Sequence, residues 1–189
     1  MSRLDLIAGP NGAGKTTFFE RVSAPGRPGL PFVDADRIAA VRFPDDQEAR
    51  AYDAARIADA TRSALLEARL DFCTETVFSH PSKVDLVTAA VDAGYEVAMH
   101  VVMIPLELCG PRVAARVAAG GHAVPAGKLA ARYERLWSNI SAAVPRCRST
   151  VFWDNSADDG PVPVATLRYG MHDHRPSWPT WTPEPLTHL

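Results

Sequence analysis

The sequence predicts a three-layer α/β fold, in which a mostly parallel sheet of five to six strands is covered by helices on both faces. Apolar runs alternate with helical patterns along the chain, as expected for successive strand and helix units. The run "YEVAMHVVMI", Tyr95 to Ile104, is almost continuously apolar, which is typical of a parallel strand covered on both sides. A glycine-rich turn also joins the first apolar run to a helical pattern.

The individual elements follow from local patterns. The predicted strands are, in chain order, "RLDLIAG" at Arg3 to Gly9, Phe32 to Asp36, Leu70 to Phe78, Tyr95 to Ile104, Thr150 to Asn155 and an edge strand in "VATLRYG". The predicted helices run from Gly14 to about Val22, from about Asp46 to Arg69 in an alanine-rich segment, after "SHPSK", and near Leu106 to Ala119 and Ala126 to Val144. We expect one domain over residues 1–170 and a tail rich in proline and tryptophan over 171–189.

Composition limits the classes of function. The chain has 189 residues, of which 47% are hydrophobic, and its formal net charge of −2 argues against broad binding to nucleic acid or to anionic membranes. It has no apolar run long enough to span a bilayer, and the first strand begins too early to leave room for a signal peptide. The three cysteines are odd in number and widely spaced, which predicts free buried thiols. We therefore expect a cytoplasmic protein.

The strongest motif is "GPNGAGKT", Gly9 to Thr16, which fits the phosphate-loop pattern G-x-x-x-x-G-K-[ST] in full. Glycines let successive backbone N–H groups point at phosphate oxygens, and the following helix adds its positive N-terminal end. Lys15 is expected to reach the β- and γ-phosphates, and the Thr16 hydroxyl to coordinate Mg²⁺. The motif predicts the P-loop NTPase fold with ATP and Mg²⁺ as cofactors, bound by Gly9, Pro10, Asn11, Gly12, Ala13, Gly14, Lys15, Thr16 and Thr17.

Other motifs of P-loop proteins are missing from the sequence. The long apolar strand ends in "HVVMIPLE" without the Asp-Glu pair of motor and transporter ATPases, and there is no "LSGGQ"-like stretch and no Asn-Lys-x-Asp for guanine. A small-molecule kinase instead needs a carboxylate beside the γ-phosphate and arginines that neutralise the transferring phosphoryl group. The sequence offers candidates for both.

The candidate carboxylates lie at the C-terminal end of the second strand and within the third, near the edge where ligands bind in open α/β sheets. Asp36 in "VDADRIA" is our candidate for the base, with the alternative that it only caps the helix beginning at Arg37. Asp34 is a candidate for substrate binding, because residues two apart on a strand share a face and it could cooperate with Asp36. Glu75 is another, because a glutamate inside the apolar strand "DFCTETVF" is costly unless it is paired or contacts a ligand. A salt bridge to an arginine is the alternative for Glu75. Ser79 either contacts substrate or caps the next helix.

An arginine-rich segment follows the fourth strand. Between Arg112 and Arg135 the chain carries five basic residues and one acid, and "GGH" followed by "VP" interrupts two helices. This pattern predicts a helical lid hinged at Gly120 and Gly121, with Arg116 and Arg132 as catalytic cations, because the planar guanidinium binds phosphate oxygens and keeps its charge. A solvated helix surface is the alternative for each single arginine.

The phosphate loop, "VDAD", "ETVFSH", "RVAARVAAGGHAVP", "RYERLWSNI" and "WDNS" occur in this order between Leu4 and about Ser156. Together they resemble the zeta toxin family of P-loop kinases. The well-studied members phosphorylate the 3′-hydroxyl of the sugar in UDP-N-acetylglucosamine. The resemblance thus implies a kinase acting on a hydroxyl of a UDP-N-acetyl sugar or a similar nucleotide-linked metabolite, with an antitoxin as a candidate protein partner.

The resemblance also assigns roles to residues. It implies that Lys15 and Thr16 hold ATP·Mg²⁺, that Asp36 is the catalytic aspartate and that Glu75 binds substrate. Arg116 matches the first lid arginine. The second aligns near His122, which is a departure, so either His122 takes over part of that role or Arg132 reaches in from the following helix.

Two alternatives to this function remain open from the sequence. The first is a regulatory module that binds ATP, hydrolyses it slowly and signals through a protein partner. The second is a kinase that acts on a different acceptor, namely a nucleoside, a dinucleotide or a coenzyme.

Overall fold

The protein is described by a computed structural model that covers residues 1–119 and 126–189. These residues form a seven-stranded sheet whose strands are, in chain order, β1 Arg3–Ala8, β2 Phe32–Val33, β3 Phe72–Thr76, β4 Glu96–Met103, β5 Ser149–Asp154, β6 Val162–Arg168 and β7 Met171–His172. The strand order is β2-β3-β1-β4-β5-β6-β7. The first five strands in this order are parallel, and β6 and β7 are antiparallel additions at one edge.

The sheet has one strand more than the five to six that the sequence predicts. The additional strand is β7, which pairs with β6 through a tight hairpin. Tyr169 and Gly170 both have positive φ, 49° and 80°, as required at the centre of the commonest two-residue hairpin turn. A two-residue strand carries too short an alternation pattern to be recognised from the sequence.

The helices are α1 Lys15–Phe18, α2 Ala35–Arg42, α3 Ala51–Glu67, α4 Ser82–Asp92, α5 Leu106–Ala118, α6 Ala126–Ala143 and α7 Glu184–Thr187. The helix after the phosphate loop changes to a π-helical turn at Phe19–Ser23. The alanine-rich helix α3 begins at Ala51 rather than near Asp46. No helix within the described ranges is long and apolar enough to cross a membrane.

Two apolar cores lie on opposite faces of the sheet and give the predicted three layers. Consecutive residues of β1 alternate between them, since Leu6 belongs to one core and Ile7 to the other. The larger core buries side chains of α3, α4 and α6 against the sheet, for example Leu136 and Ile140 of α6. The smaller core packs α1 and α5 on the other face. Both faces are therefore covered, and the carboxyl edge of the parallel strands stays open for a ligand.

The C-terminal tail packs on the larger core. Trp178, Trp181 and Leu189 are half-buried against it, and Leu186 of α7 is fully buried within it. Trp178 meets the ring of Phe152 edge to face, with centroids 5.2 Å apart. The tail therefore contributes apolar contacts to the domain, while its boundary at residue 170 remains a prediction.

Candidate active site

The phosphate loop leaves the end of β1 in a conformation that depends on its glycines. Gly12 and Gly14 have φ of 81° and 82°, in the left-handed region that favours glycine. Gly9 lies against the neighbouring strand, so that a Cβ atom there would collide with the carbonyl oxygen of Val102. These three positions curl the backbone between β1 and α1, as the motif predicts.

Two side chains of the loop turn towards β3. Lys15 is only 6% exposed, and its Nζ donates a hydrogen bond to the Pro10 carbonyl at 2.9 Å. The same Nζ lies 3.7 Å from Oε1 of Glu75, while Thr16 Oγ1 donates to Glu75 Oε2 at 2.8 Å. The charged partner that the described residues give Glu75 is thus the loop lysine, where the sequence offered an arginine as the alternative. The pairing follows from the sheet order, because β3 lies next to β1 and places Glu75 opposite Ile7.

Asp34, and not Asp36, caps the N-terminus of α2. Its Oδ1 accepts a hydrogen bond from the backbone N–H of Asp36 at 2.9 Å, so the capping alternative for Asp36 is wrong. Asp34 is 6% exposed. Burial, reinforced by the nearby charges of Glu75 and Asp36, raises the pKa of the Asp34 carboxyl from its ordinary value of 3.8 to about 6.

Asp36 lies one residue into α2, and its side chain remains 55% exposed. Nη1 of Arg116, which belongs to α5, lies 3.5 Å from Oδ2 of Asp36. The proposed base and the proposed first lid arginine are therefore in direct contact, although they are 80 positions apart in the sequence.

These side chains line a cavity of about 810 Å³ at the carboxyl edge of the sheet. Arg132 of α6 and Ser79 of the β3–α4 connection line it as well. The structure thus brings together the predicted catalytic residues, the predicted acceptor-binding residues Asp34, Glu75 and Ser79, and most of the phosphate loop, whereas Gly9, Pro10 and Ala13 do not line the cavity. His122 and the predicted hinge glycines, Gly120 and Gly121, lie outside the described residues.

The connection after β3 turns sharply at a strained residue. Phe78 is fully buried and has φ of 63°, which is rare for a bulky side chain and occurs where the surroundings enforce it. Helix α6 supports this turn, because Asn139 Nδ2 donates to the Phe78 carbonyl at 3.0 Å and Arg135 Nε to the Ser79 carbonyl at 3.4 Å. Ser79 does not cap α4, whose N-cap position is Pro81.

One face of α3 forms a wall of the cavity that we did not predict from the sequence. The residues of this wall, with the segment just before the helix, are Glu48, Ala51, Tyr52, Ala55, Arg56, Asp59 and Arg62. They recur every three or four positions, which is the spacing of one helical face. This repeat could have indicated the wall from the sequence, but the apolar residues of the face that packs on the core dominate the hydrophobic pattern of the helix.

A charged cluster of Arg62, Asp59 and Lys83 lies at the C-terminal end of that wall. Arg62 is 4% exposed, and it donates hydrogen bonds to Asp59 at 2.5 Å and to Thr74 of β3 at 3.1 Å. Lys83 of α4 donates to the same Asp59 carboxylate at 2.7 Å. Hydrogen bonds from Lys83 and Arg62 outweigh partial burial and lower the pKa of the Asp59 carboxyl. The cluster joins α3, β3 and α4 around the cavity.

The residues present fit both ATP and Mg²⁺. Positive-φ glycines leave a cradle without side chains in the loop, and the Asn11 side chain next to it has a buried Oδ1 with no hydrogen-bond partner among the described residues. Thr16, Glu75 and Asp34 offer the hard oxygen donors that Mg²⁺ prefers.

Several solved structures share this fold. The AvrRxo1-ORF1:ORF2 complex with ATP aligns with a TM-score of 0.70 at 17% identity, over 92% of this chain and 60% of that chain. The PezAT toxin-antitoxin system of Streptococcus pneumoniae aligns with a TM-score of 0.65 at 13% identity, over 88% and 72%. The Pnkp1/Rnl/Hen1 RNA repair complex aligns with a TM-score of 0.58 at 20% identity, over 86% and 48%. This chain thus spans about three fifths of the AvrRxo1 chain that it matches.

The phosphate loop after β1, the parallel strand order and the helices on both faces define a P-loop protein with a three-layer α/β fold. The family model described as an AAA domain, AAA_33, matches residues 4–136. The chain therefore belongs to the AAA_33 family. No curated protein matches it in sequence.

Proposed function

We propose that the protein is an ATP-dependent small-molecule kinase of the zeta-toxin type, which transfers the γ-phosphoryl group of ATP to a hydroxyl of an acceptor. The observation that carries this proposal is the convergence of the phosphate loop, Asp36 and Arg116 on one cavity. A carboxylate and an arginine that meet beside a phosphate loop are the groups that phosphoryl transfer to an alcohol requires.

Each of these groups has a role in the proposed reaction. Asp36 orients the acceptor hydroxyl and takes its proton as the oxygen attacks the γ-phosphorus; the bond between that phosphorus and the β,γ-bridging oxygen breaks, and ADP leaves. Lys15, Arg116 and Arg132 neutralise the charge on the phosphoryl oxygens. Mg²⁺, held by Thr16 with Glu75 beside it, would supply further positive charge at the phosphates. The residues 9–17 bind the nucleotide.

The acceptor is proposed to be a UDP-N-acetyl sugar or a similar nucleotide-linked metabolite. The cavity volume of about 810 Å³ is in the upper part of the range for small-molecule sites. Among the described residues, seven lysine and arginine side chains and five carboxylates line it, in a chain whose net charge is −2. This local excess of positive charge favours an anionic ligand. The exposed ring of Tyr52 on α3 offers a surface on which a planar base could stack.

Glu75, Asp34 and Ser79 are proposed to contact the acceptor, because they line the cavity on the side of β2 and β3. An antitoxin that covers this cavity is the protein partner that the resemblance suggests, and the PezAT structure is itself that of a toxin-antitoxin system. A cytoplasmic location belongs to the same proposal.

The test is incubation of the purified protein with γ-labelled ATP, Mg²⁺ and a panel of acceptors, with UDP-N-acetylglucosamine first. A nucleoside, a dinucleotide and a coenzyme complete the panel. We expect a labelled product with one of these acceptors, and we expect Asp36→Asn to lower its rate of formation by at least about 10²-fold, the usual loss when a general base is removed. Asp158→Asn, which changes an exposed acid outside the cavity, is the matched control.

Two outcomes would contradict the proposal. Label released only as inorganic phosphate, at equal rates in wild type and Asp36→Asn, would favour the regulatory module with slow ATPase activity. A labelled product that Asp36→Asn forms at the normal rate would leave a kinase but would overturn the assignment of its base.

A further inference from the structure

We propose that Arg112 and Asn155 are positioning residues that hold the phosphate loop in its ligand-binding conformation and fix it to the helix that carries Arg116. This inference rests on the nucleotide-binding part of the proposed function and does not depend on the identity of the acceptor. We refer to the two residues and their contacts as the Arg112–Asn155 bridge.

The bridge consists of three hydrogen bonds between distant parts of the chain. Arg112 of α5 donates from Nη1 to the Asn155 carbonyl at 2.8 Å and from Nη2 to the Ser156 carbonyl at 3.1 Å. The side chain of Asn155 then donates from Nδ2 to the carbonyl of Ala13 in the phosphate loop at 2.8 Å. The guanidinium thus binds two successive carbonyls as a fork, which lysine cannot reproduce.

The position of Asn155 is itself well defined. Its backbone N–H donates to the Met103 carbonyl at 2.9 Å, which continues the pairing of β4 and β5 by one residue. The bridge therefore connects the phosphate loop to the rigid end of the sheet.

The glycines of the loop show how closely these groups pack. A Cβ atom at Gly12 would lie 3.0 Å from the Cys109 carbonyl oxygen and 3.2 Å from Cβ of Arg112. A Cβ atom at Gly14 would lie 3.0 Å from Nδ2 of Asn155. The loop is thus in direct contact with α5 at one glycine and with the end of β5 at another.

The hydrogen bond to Ala13 orients a peptide group that matters for phosphate binding. In a planar trans peptide the carbonyl of one residue and the N–H of the next point in opposite directions. Because Asn155 holds the Ala13 carbonyl, the N–H of Gly14 points away from Asn155, and Gly14 lines the cavity. The bridge in this way presents a backbone donor to an anion in the loop.

The bridge also fixes the helix that brings Arg116 to the site. Arg116 follows Arg112 by four residues on α5, so the two side chains lie on the same face one turn apart. Arg116 reaches Asp36 at 3.5 Å. Anchoring of Arg112 therefore fixes the turn of α5 from which Arg116 extends, and it couples the conformation of the loop to the position of that arginine.

The test measures the Kd of a non-hydrolysable ATP analogue with Mg²⁺ by calorimetry, well below the melting temperature of each protein. We expect Arg112→Lys and Asn155→Leu each to raise Kd by about tenfold, the usual order for a lost hydrogen-bonding contact. We expect the double variant to raise Kd by about the same factor as the more severe single variant, because either change breaks the same bridge. Amide hydrogen exchange at residues 12–14 should become faster in all three.

The choice of variants distinguishes the bridge from a simple effect of charge. Arg112→Lys keeps the positive charge, so a Kd unchanged in this variant would mean that Arg112 acts by charge alone and would overturn the proposal. Arg146→Lys, which changes an exposed arginine paired with Asp92, should leave Kd within twofold. The proposal would also be overturned if the two single effects on Kd multiplied in the double variant, or if Kd stayed within twofold of the wild-type value in both single variants. Binding of the analogue without transfer to any acceptor would instead count against the kinase proposal alone.

Discussion

At the scale of single residues, the site brings negatively charged carboxylates close together, and their mutual repulsion disfavours folding. Asp34 interacts electrostatically with Glu75, Asp36 and Lys15, and it is almost fully buried. Burial and two neighbouring carboxylates together raise the pKa of Asp34, which means that its ionised form is less stable in the folded protein than in the unfolded chain. Such local instability is typical of functional sites.

We therefore predict that Asp34→Asn stabilises the protein in the absence of nucleotide and Mg²⁺. Asparagine keeps the N-cap of α2, since it caps helices as well as aspartate does, and it removes the buried charge. With a shift of the pKa from 3.8 to about 6, the gain at pH 7.5 should be on the order of 3 kcal/mol. Urea denaturation of both proteins measures it.

The sign of the pH dependence provides the control. Because the folded-state pKa of Asp34 is raised, this carboxyl binds more protons in the folded protein than in the unfolded chain between pH 4 and 6, and its contribution to wild-type stability falls as the pH rises through this window. The stabilisation by Asp34→Asn should therefore shrink towards zero near pH 4. An equal gain at pH 4 and pH 7.5, or none at pH 7.5, would contradict the assignment of a raised pKa.

At the scale of elements, the approach of the phosphate loop to β4 explains why its first glycine is required. Gly9 follows β1 directly, and Val102 belongs to β4, the strand that pairs with β1. The collision that a Cβ atom would make at Gly9 involves a backbone carbonyl, which cannot move without disturbing the sheet.

We expect Gly9→Ala to destabilise the protein by more than about 4 kcal/mol, the range of severe core disruptions. Gly26→Ala is the matched control, because Gly26 also has positive φ, 84°, but a Cβ atom there would have no atom of the described residues within 4 Å. Its cost should be limited to about 1–2 kcal/mol of backbone strain. Urea denaturation measures both, and equal costs in the two variants would show that the contact with Val102 is unimportant.

At the scale of the whole molecule, the tail completes the core on the face of the sheet that α6 covers. Leu186 is fully buried within this core although it lies only three residues from the C-terminal Leu189. The last residues therefore contribute to the stability of the domain as a buried element of the core does.

We predict that Leu186→Ala lowers the free energy of unfolding by about 2–5 kcal/mol, as is usual for a buried leucine. Met171→Ala, which truncates a side chain that is 72% exposed, should change it by less than about 0.5 kcal/mol. Thermal and urea denaturation of the two variants check the difference. A Leu186→Ala protein as stable as wild type would mean that the tail does not pack on the core in solution.

Patterns within a few residues were enough to predict the layers, the parallel strands and the phosphate loop. These features depend on local hydrogen bonding, glycine conformation and the alternation of apolar side chains, all of which are present in the sequence. The carboxylates after β2 and within β3 could be predicted as well, because the carboxyl ends of parallel strands meet at one edge. The lid hinge and His122 remain predictions.

The tertiary structure alone decided which of these residues meet and in what role. Because β3 lies beside β1, Glu75 contacts Lys15 and Thr16. Because α2 begins at Ala35, Asp34 takes the N-cap position. The α3 wall and the Arg112–Asn155 bridge join segments up to 142 positions apart. Contacts of this kind depend on strand order and on the packing of helices against the sheet, so no local pattern in the sequence reveals which segments meet.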